Sequence, residues 1–550
     1  MEISFRKEAV FMHTTAINYK QKSALRDYFT RVTTDTRCMR NTACFYIRNT
    51  MTGLSKSPEE RTHLETEVLH DVFTSIHAAN TEVHVKIRTV LEYGQTHGGL
   101  KAAVTASQAV KRKLFRFPSR EKWFLSYETL DLIFKRTDNP VYRRMPSQVN
   151  QNAIRKTVAA WESWINSLKD WKKHPGKYLA KPRIPGYIRN GCSTAWWTNQ
   201  VSSIVIKGNR VYLKFALHKG TVCIGKASRY EGMKYIKTEV VPYHGQFRIL
   251  VTFDDHAGKV PVPEHPERIL GIDLGLDNFA AAAGNFGEDP FVVKGGVIKA
   301  VNQWYNKRKA SLLSALTRGS DSSHSRKHSH ALEEISRKRE DALRDLFYKC
   351  SWYLCRYAVK HGVEVIVLGQ NKGWKQEISM GKQNNQNFVS VPYDRFRQIL
   401  AFVAGNCGIP VICQEESYTS KASLLDLDVI PVYGKDDEKP SFSGKRVKRG
   451  LYQSADGTCL NADINGAGNI LRKKYPYAFE GKDLSFLWKT TSSINLSSLY
   501  VPYRDGKRHR SRLPGISSRL RHKARKQQRL QLLEIFQAGK KSWQPQKAAV

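Results

Sequence analysis

The chain has 550 residues, 41% of them hydrophobic, and carries 90 Lys and Arg against 49 Asp and Glu for a formal net charge of +41. Its length implies two to four domains, and its apolar content excludes a wholly disordered chain. No stretch approaches the roughly 20 apolar residues that span a bilayer, and Met1-Glu2 opens a polar, charged start unlike a signal peptide. The excess charge therefore points to a polyanion, nucleic acid before anionic membrane.

A plausible strand lies within the first 25 residues, and Lys20 to Leu130 reads as mostly helical and polar. Asn152 to Lys173 is an amphipathic helix, with Ile154, Val158, Trp161, Ile165 and Leu168 on one face. Pro175 ends it, and KPRIPGY (181–187) is an extended basic loop. From Gly191 to Asp254 the segments SSIVIKG, RVYLKFAL, KYIKTEVV and FRILVTF alternate between turns, predicting a small antiparallel barrel or sheet. Trp197 there, with its basic neighbours, is read as a nucleic-acid contact.

After the proline-rich linker Val260–Pro266 the pattern changes. A strand at Arg268–Ile272 leads to a hairpin (FAAAA, then FVVKGGVIK) and a helix from about Val301. A second long helix runs from Leu332 to Lys360, followed by strand Glu364–Leu368, helix Tyr393–Cys407 and strand Pro410–Cys413. Three strands, then alternating helix and strand, is the order of an RNase H-like domain. Asp426–Gly457 reads as an insertion, and beyond Tyr500 the chain is a basic tail. The nine cysteines form no CxxC pair, so no zinc is expected and reduced thiols are.

Three carboxylate positions follow or interrupt short apolar runs. Asp273 lies in ILGIDLGLDNFAAAA, Glu415 and Glu416 in IPVICQEESYTSKAS, and Asp463 in LNADINGAGNI. Acids beside buried strands need an offset for desolvation, and a hard cation such as Mg²⁺ suits oxygen donors without His or Cys. Two such ions can activate water and stabilise a leaving phosphate oxygen. Two of the acids also have a local reading, Asp273 as a turn residue and Asp463 as a helix cap.

GIDLGLDNFA resembles the first RuvC motif of the TnpB nucleases, relatives of Fanzor and of miniature type V CRISPR effectors. KPRIPGYI, VIVLGQNKGWKQEISMGKQNNQNFVSVPYDRF, QEESYTSKAS and ADINGAGNILRK resemble further TnpB segments in the same order, covering about residues 140 to 475. TTDTRCMRNTACFYIRN extends the likeness more weakly towards the start. Two departures stand out. The strand ending Val367-Leu368-Gly369-Gln370 lacks the glutamate usual there, and Glu364 is too early to replace it. Some TnpB members and Fanzor carry this acid before YTSK, which implies Glu416, with Glu415 the alternative, since neighbours on a strand face opposite ways. The usual CxxC pairs are also missing, so the insertion is expected to be a basic lobe around Lys445 and Arg446.

The resemblance implies an α+β multidomain protein: a wedge-like β-barrel (1–20 and 175–262) with an inserted helical recognition lobe (21–174). It also implies a RuvC domain in two parts (263–425 and 458–490), the insertion (426–457) in place of a zinc-finger lobe, and the tail (491–550). It further implies an RNA-guided DNA endonuclease, transposon-associated and cytoplasmic, at the nucleoid of a prokaryote. Asp273, Glu416 and Asp463 would hold two Mg²⁺ ions, or Mn²⁺ in their place. A structured guide RNA and target double-stranded DNA are the expected partners, contacted through Lys181, Arg183, Trp197, Lys372, Trp374, Lys375, Lys421, Lys445 and Arg446. The alternatives are an RNA-guided repressor without cleavage and an RNase H-fold transposase or resolvase.

Overall fold

A computed structural model describes residues 12–499, apart from 22, 98, 112–113, 190, 256–259, 319–327, 371–390 and 433–439. The chain divides into two units, 1–258 and 259–550.

In the first unit, strand β1 (Met12–Tyr19) leads into helices α1 (Ala24–Ser55), α2 (His63–Thr96), α3 (Leu100–Lys111), α4 (Tyr127–Arg136), α5 (Pro140–Arg143) and α6 (Ser147–Lys173). The apolar stripe expected from Asn152 holds as far as Trp161, with Ile165 and Leu168 only half-buried, and α6 extends it back to Val149. Val149, Ile154, Val158 and Trp161 join Phe29, Met39 and Ile47 of α1 in one core. Strands β2 (Ala195–Thr198), β3 (Ser202–Lys207), β4 (Arg210–Phe215), β5 (His218–Lys226), β6 (Lys234–Tyr243) and β7 (Gln246–Asp254) follow.

These strands correct the expectation of a barrel. Among the described residues they make a four-stranded sheet, β1-β7-β6-β2, and a separate three-stranded one, β3-β4-β5. The chain turns after β2, where Val201 N–H donates to Thr198 O (3.1 Å), and β3 starts a new ladder. β1 and β2 remain edges of the first sheet.

The second unit is built on a six-stranded sheet. Its strands are β8 (Ile269–Asp273), β9 (Asn278–Gly284), β10 (Phe291–Lys294), β11 (Val365–Gln370), β12 (Val411–Glu415) and β16 (Ser492–Asn495), in the order β12-β11-β8-β9-β10-β16. β8, β9 and β10 are antiparallel neighbours, while β11 runs parallel to both β8 and β12. Helices α7 (Gly296–Thr317), α8 (His330–Lys360), α9 (Tyr393–Gly405) and α10 (Ala462–Lys474) accompany the sheet, and a small sheet of β13 (Lys445–Lys448), β14 (Leu451–Gln453) and β15 (Cys459–Asn461) precedes α10. The expected helix from Val301 starts earlier, at Gly296, and takes up the GGVIK segment.

β8 and β11 read as unbroken apolar runs because both faces are covered. Leu270, Ile272, Ile366 and Leu368 share a core with Phe347 of α8 and Phe396 of α9. Ile269, Val365 and Val367 pack with Ala467, Ile470 and Leu471 of α10 on the other face. Among the described residues no helix is long and apolar enough to cross a membrane.

Candidate active site

Strand alternation decides where Asp273 points. Ile269, Gly271 and Asp273 share one face of β8, and the first of them packs against α10. Gly271 lets the helix lie close, because a Cβ there would run into Ala467 O and reach 2.9 Å from Leu471 Cβ. One turn earlier on α10, a Cβ on Gly466 would lie 2.9 Å from Asp273 Oδ2. The glycines thus make room for the carboxylate between sheet and helix.

Asp463 sits inside the first turn of α10 and is not its cap. Asn461 fills that role, its Oδ1 accepting from the N–H groups of Asp463 (2.9 Å) and Ile464 (3.4 Å). A cap of this kind is worth about 1 kcal/mol, and it leaves the Asp463 carboxylate for other work. Asn278 Nδ2 donates to Asp463 Oδ2 at 2.6 Å, while Lys294 Nζ donates to Asn278 Oδ1 at 3.0 Å. Asn278 and Lys294 are cross-strand partners of β9 and β10. The amide is therefore oriented by a cation behind it, and it orients the acid in front.

Glu415 and Glu416 part ways at the end of β12. Glu415 stays outside, where it accepts from Lys473 Nζ (2.7 Å) and Ser417 Oγ (2.7 Å). Lys473 belongs to α10, is only 4% exposed in its side chain, and also donates to Ser417 O at 2.8 Å. Glu416 turns inward against β11. A Cβ on Gly369 would collide with its Oε1 and lie 2.8 Å from its Cδ. The Glu416 carboxylate thus occupies the space a side chain at position 369 would need. Glu364 lies at the other end of β11, where its Oε1 accepts from the N–H groups of Glu267 (3.1 Å) and Arg268 (3.2 Å) and fastens the strand starts.

The acids feel one another. Burial, then the Asp463 charge, pushes Asp273 up to about 7, against the Leu274 N–H and the Arg446 guanidinium. Burial, then the Asp273 charge, pushes Glu416 up to about 8, against Arg397. Burial raises Glu415 too, but hydrogen bonds from Lys473 and Ser417 outweigh it and hold that acid below its ordinary value. Among the described residues no group of three or more His, Cys, Asp or Glu side chains is arranged to hold a metal ion. Asp273 thus meets like charge from both Asp463 and Glu416, and the acids are not a finished cage.

Of the expected nucleic-acid contacts, Lys181, Arg183 and Lys421 are exposed, as are Lys445 and Arg446 on β13. Asp277, in the loop after Asp273, pairs with Arg449 and with Lys299, tethering the β13–β14 turn beside the acids. Trp197 is a correction. It is fully buried between Tyr28, Phe29 and Phe215, with its Nε1 donating to Tyr28 Oη at 3.4 Å. The alternation of β2, which buries every second residue, turns it into the core. Lys372, Trp374 and Lys375 lie outside the described residues.

Sequence reasoning missed Lys473 and Arg397. Arg397 is 8% exposed, bonds Asp394 (2.6 Å) and donates to Gly369 O (3.4 Å). Its spacing to Asp394 on α9 was the available signal. Tyr393, which donates to Gly275 O at 2.9 Å, holds the loop that follows Asp273.

The OrfB_IS605 family model, described as a probable transposase, matches residues 248–375. This agrees with the TnpB-like family recognised in the motifs. No curated protein sequence matches the chain. Among solved structures, a Cas12f1–sgRNA–target DNA complex is 12% identical, with 84% of this chain and 99% of that chain covered at a TM-score of 0.40. A mini-RNA-guided endonuclease, CRISPR-Cas_phi3, is 11% identical, with 86% and 93% covered at 0.37. C2c1 of Alicyclobacillus acidoterrestris with single-guide RNA is 8% identical, with 86% and 89% covered at 0.34.

Proposed function

We propose that this TnpB-like chain is an RNA-guided DNA endonuclease that hydrolyses phosphodiesters at Asp273, Glu416 and Asp463 with a divalent cation. The observation that carries the reading is the meeting of these acids, from β8, the end of β12 and the start of α10, where burial and mutual charge hold Asp273 and Glu416 high. Acids this poorly offset are a cost to the fold that a cation would remove. The strand order, three antiparallel strands followed by parallel β11 and β12, supports an RNase H-like domain of RuvC type.

The residues fit Mg²⁺ in donor chemistry, an all-oxygen set, and in the room left for the carboxylates at Gly369 and Gly466. When bound, Mg²⁺ supplies activation of water and charge stabilisation at the phosphate. Asp273 lies between the other two acids in charge coupling and is the natural shared ligand. Asn278 holds Asp463 to one orientation, and Lys473 keeps Glu415 out of the cluster. Arg446 and Lys421, both exposed, are placed to meet phosphates. The net charge of +41 suits a structured guide RNA paired to one strand of a DNA duplex, with sequence read by base pairing.

The test is to purify the chain with its RNA, sequence that RNA, and offer a duplex bearing the complementary segment. Cleavage with Mg²⁺, none with EDTA, and retained target binding by Asp273→Ala are expected. Cleavage by Asp273→Ala at the wild-type rate would overturn the assignment.

A further inference from the structure

Residues 111–122 read KRKLFRFPSREK, with six basic residues and a single acid around two phenylalanines. The described part of this stretch is strapped along α2 by one side chain. Asn80 Nδ2 donates to Phe115 O at 2.8 Å, and Phe115 N–H donates to Asn80 Oδ1 at 2.8 Å. This two-bond clamp fixes the backbone at Phe115, which is partly covered, while Arg116 and Phe117 just after it are exposed. Phe117 stacks on Phe73 of α2, with ring centroids 5.7 Å apart and planes 15° from parallel. Both rings stay exposed, 42% for Phe117 and 36% for Phe73.

A cleft of about 920 Å³ opens beside them between α2, the strapped segment and α4. Its apolar wall includes Val83, Phe115, Phe117 and Leu132, and Arg116, Lys122 and Arg136 supply its positive charges. Of its two acids, Glu82 and Glu128, the first is taken up by Arg136 at 2.8 Å. An exposed aromatic pair is costly in water, and the basic surroundings select what covers it. A peptide helix would use the apolar wall but gain nothing from the cations unless acidic. A nucleotide uses both, its base on the ring and its phosphates on the arginine and lysine.

We infer that Phe117, backed by Phe73 and flanked by Arg116, is a stacking platform for an unpaired base of single-stranded nucleic acid. It lies in the first unit, whereas the acid cluster belongs to the second. It rests on the proposed function only in that the ligand is a polynucleotide, and the assay contains neither divalent cation nor target duplex, so failure to stack and failure to cleave are read apart.

The probe is a short oligothymidine, compared with the same backbone carrying abasic residues, bound to the full chain freed of nucleic acid across roughly 50 to 200 mM salt. Phe117→Ala should weaken oligothymidine binding about tenfold, within the range of a single base–ring stack. It should leave the abasic strand and the salt slope unchanged, because no phosphate contact is lost. Phe117→Trp should restore binding, and Arg116→Gln should lower the salt slope by about 0.7 on both strands. Equal binding by wild type and Phe117→Ala, equal losses on both strands, or a Phe117→Trp variant as weak as the alanine would each overturn the platform.

Discussion

Two buried acid sites, one in each unit, differ in what meets the charge. In the first unit Glu65, 4% exposed, accepts from Lys56 Nζ at 2.8 and 2.9 Å and from Thr62 N–H at 2.9 Å. Hydrogen bonds from Lys56, then Thr52, then Thr62, hold it down to about 2. In the second unit burial, then the charge of a neighbouring carboxylate, raises Glu416 to about 8 and Asp273 to about 7. All three are carboxylates with part or most of their surface covered. Glu65 completes a helix N-terminus, reciprocating with Thr62 across the first turn of α2. The other two face like charge, which favours their protonated forms. Exposed surface alone does not sort these acids, since Glu65 has the least of the three yet is held lowest; the sign of the neighbouring charge separates them as well.

The largest expected break of that contrast is Glu416→Ala, which should cost cleavage on the order of a hundredfold or more, as should Asp273→Ala. Glu415→Ala should be mild, since its carboxylate is engaged by Lys473 outside the cluster. A dead Glu415→Ala beside an active Glu416→Ala would reverse the assignment. Gly369→Ala is nearly as severe a test, because it removes no acid. Its methyl group would displace the Glu416 carboxylate, and a loss of roughly 10- to 100-fold is expected, of the size seen when support for a metal ligand fails. Unchanged cleavage by Gly369→Ala would show that the close approach is irrelevant to chemistry.

Asn278→Ala should lose about tenfold, and the loss should shrink as Mg²⁺ is raised, because the amide orients Asp463 without replacing it. A deficit independent of Mg²⁺ would make Asn278 merely structural.

The smallest effects are on stability, and they have opposite signs in the two units. Asp273 and Glu416 keep protons in the folded state that the unfolded chain has released above about pH 4. Without metal, stability should therefore fall as pH rises from about 4 towards 8. Glu416→Gln should raise the EDTA-treated protein's melting temperature at pH 8 and leave it little changed at pH 4. Glu65 works the other way. Its contribution is full above the ordinary glutamate range and is lost as pH falls towards 2. Glu65→Gln should cost roughly 2–3 kcal/mol at pH 7, since each tenfold change in proton affinity on folding is worth about 1.4 kcal/mol. Near pH 2 it should cost almost nothing. Thermal melts across pH decide both, and a Glu416→Gln variant less stable than wild type at pH 8 would remove the contrast.

The sequence showed much of this by local pattern. The apolar run before Asp273, covered on both faces by helices, is legible because a doubly buried strand leaves no polar alternation. The long α8 and the stripe on α6 are legible from their period. Trp197 misled because an aromatic residue beside basic ones looks the same at a binding surface and at a core edge. Only the register of β2 against β6, which pairs Trp197 with Thr238, turns it inward. The barrel failed for a related reason: four strands announce themselves one by one between Gly191 and Asp254, but whether the first sheet closes depends on the turn after Thr198.

What the sequence determined by itself was the set of acids, their apolar context and the absence of one at position 369, since these are properties of adjacent residues. Which of Glu415 and Glu416 enters the cluster was decided in three dimensions. Lys473 holds one glutamate from 58 residues away, and Gly369 makes room for the other from a neighbouring strand. Asn461 was likewise the residue that capped α10 and freed Asp463. Charge and van der Waals contact act over a few ångströms whatever the separation along the chain, so such choices are made only once the strands and α10 have packed.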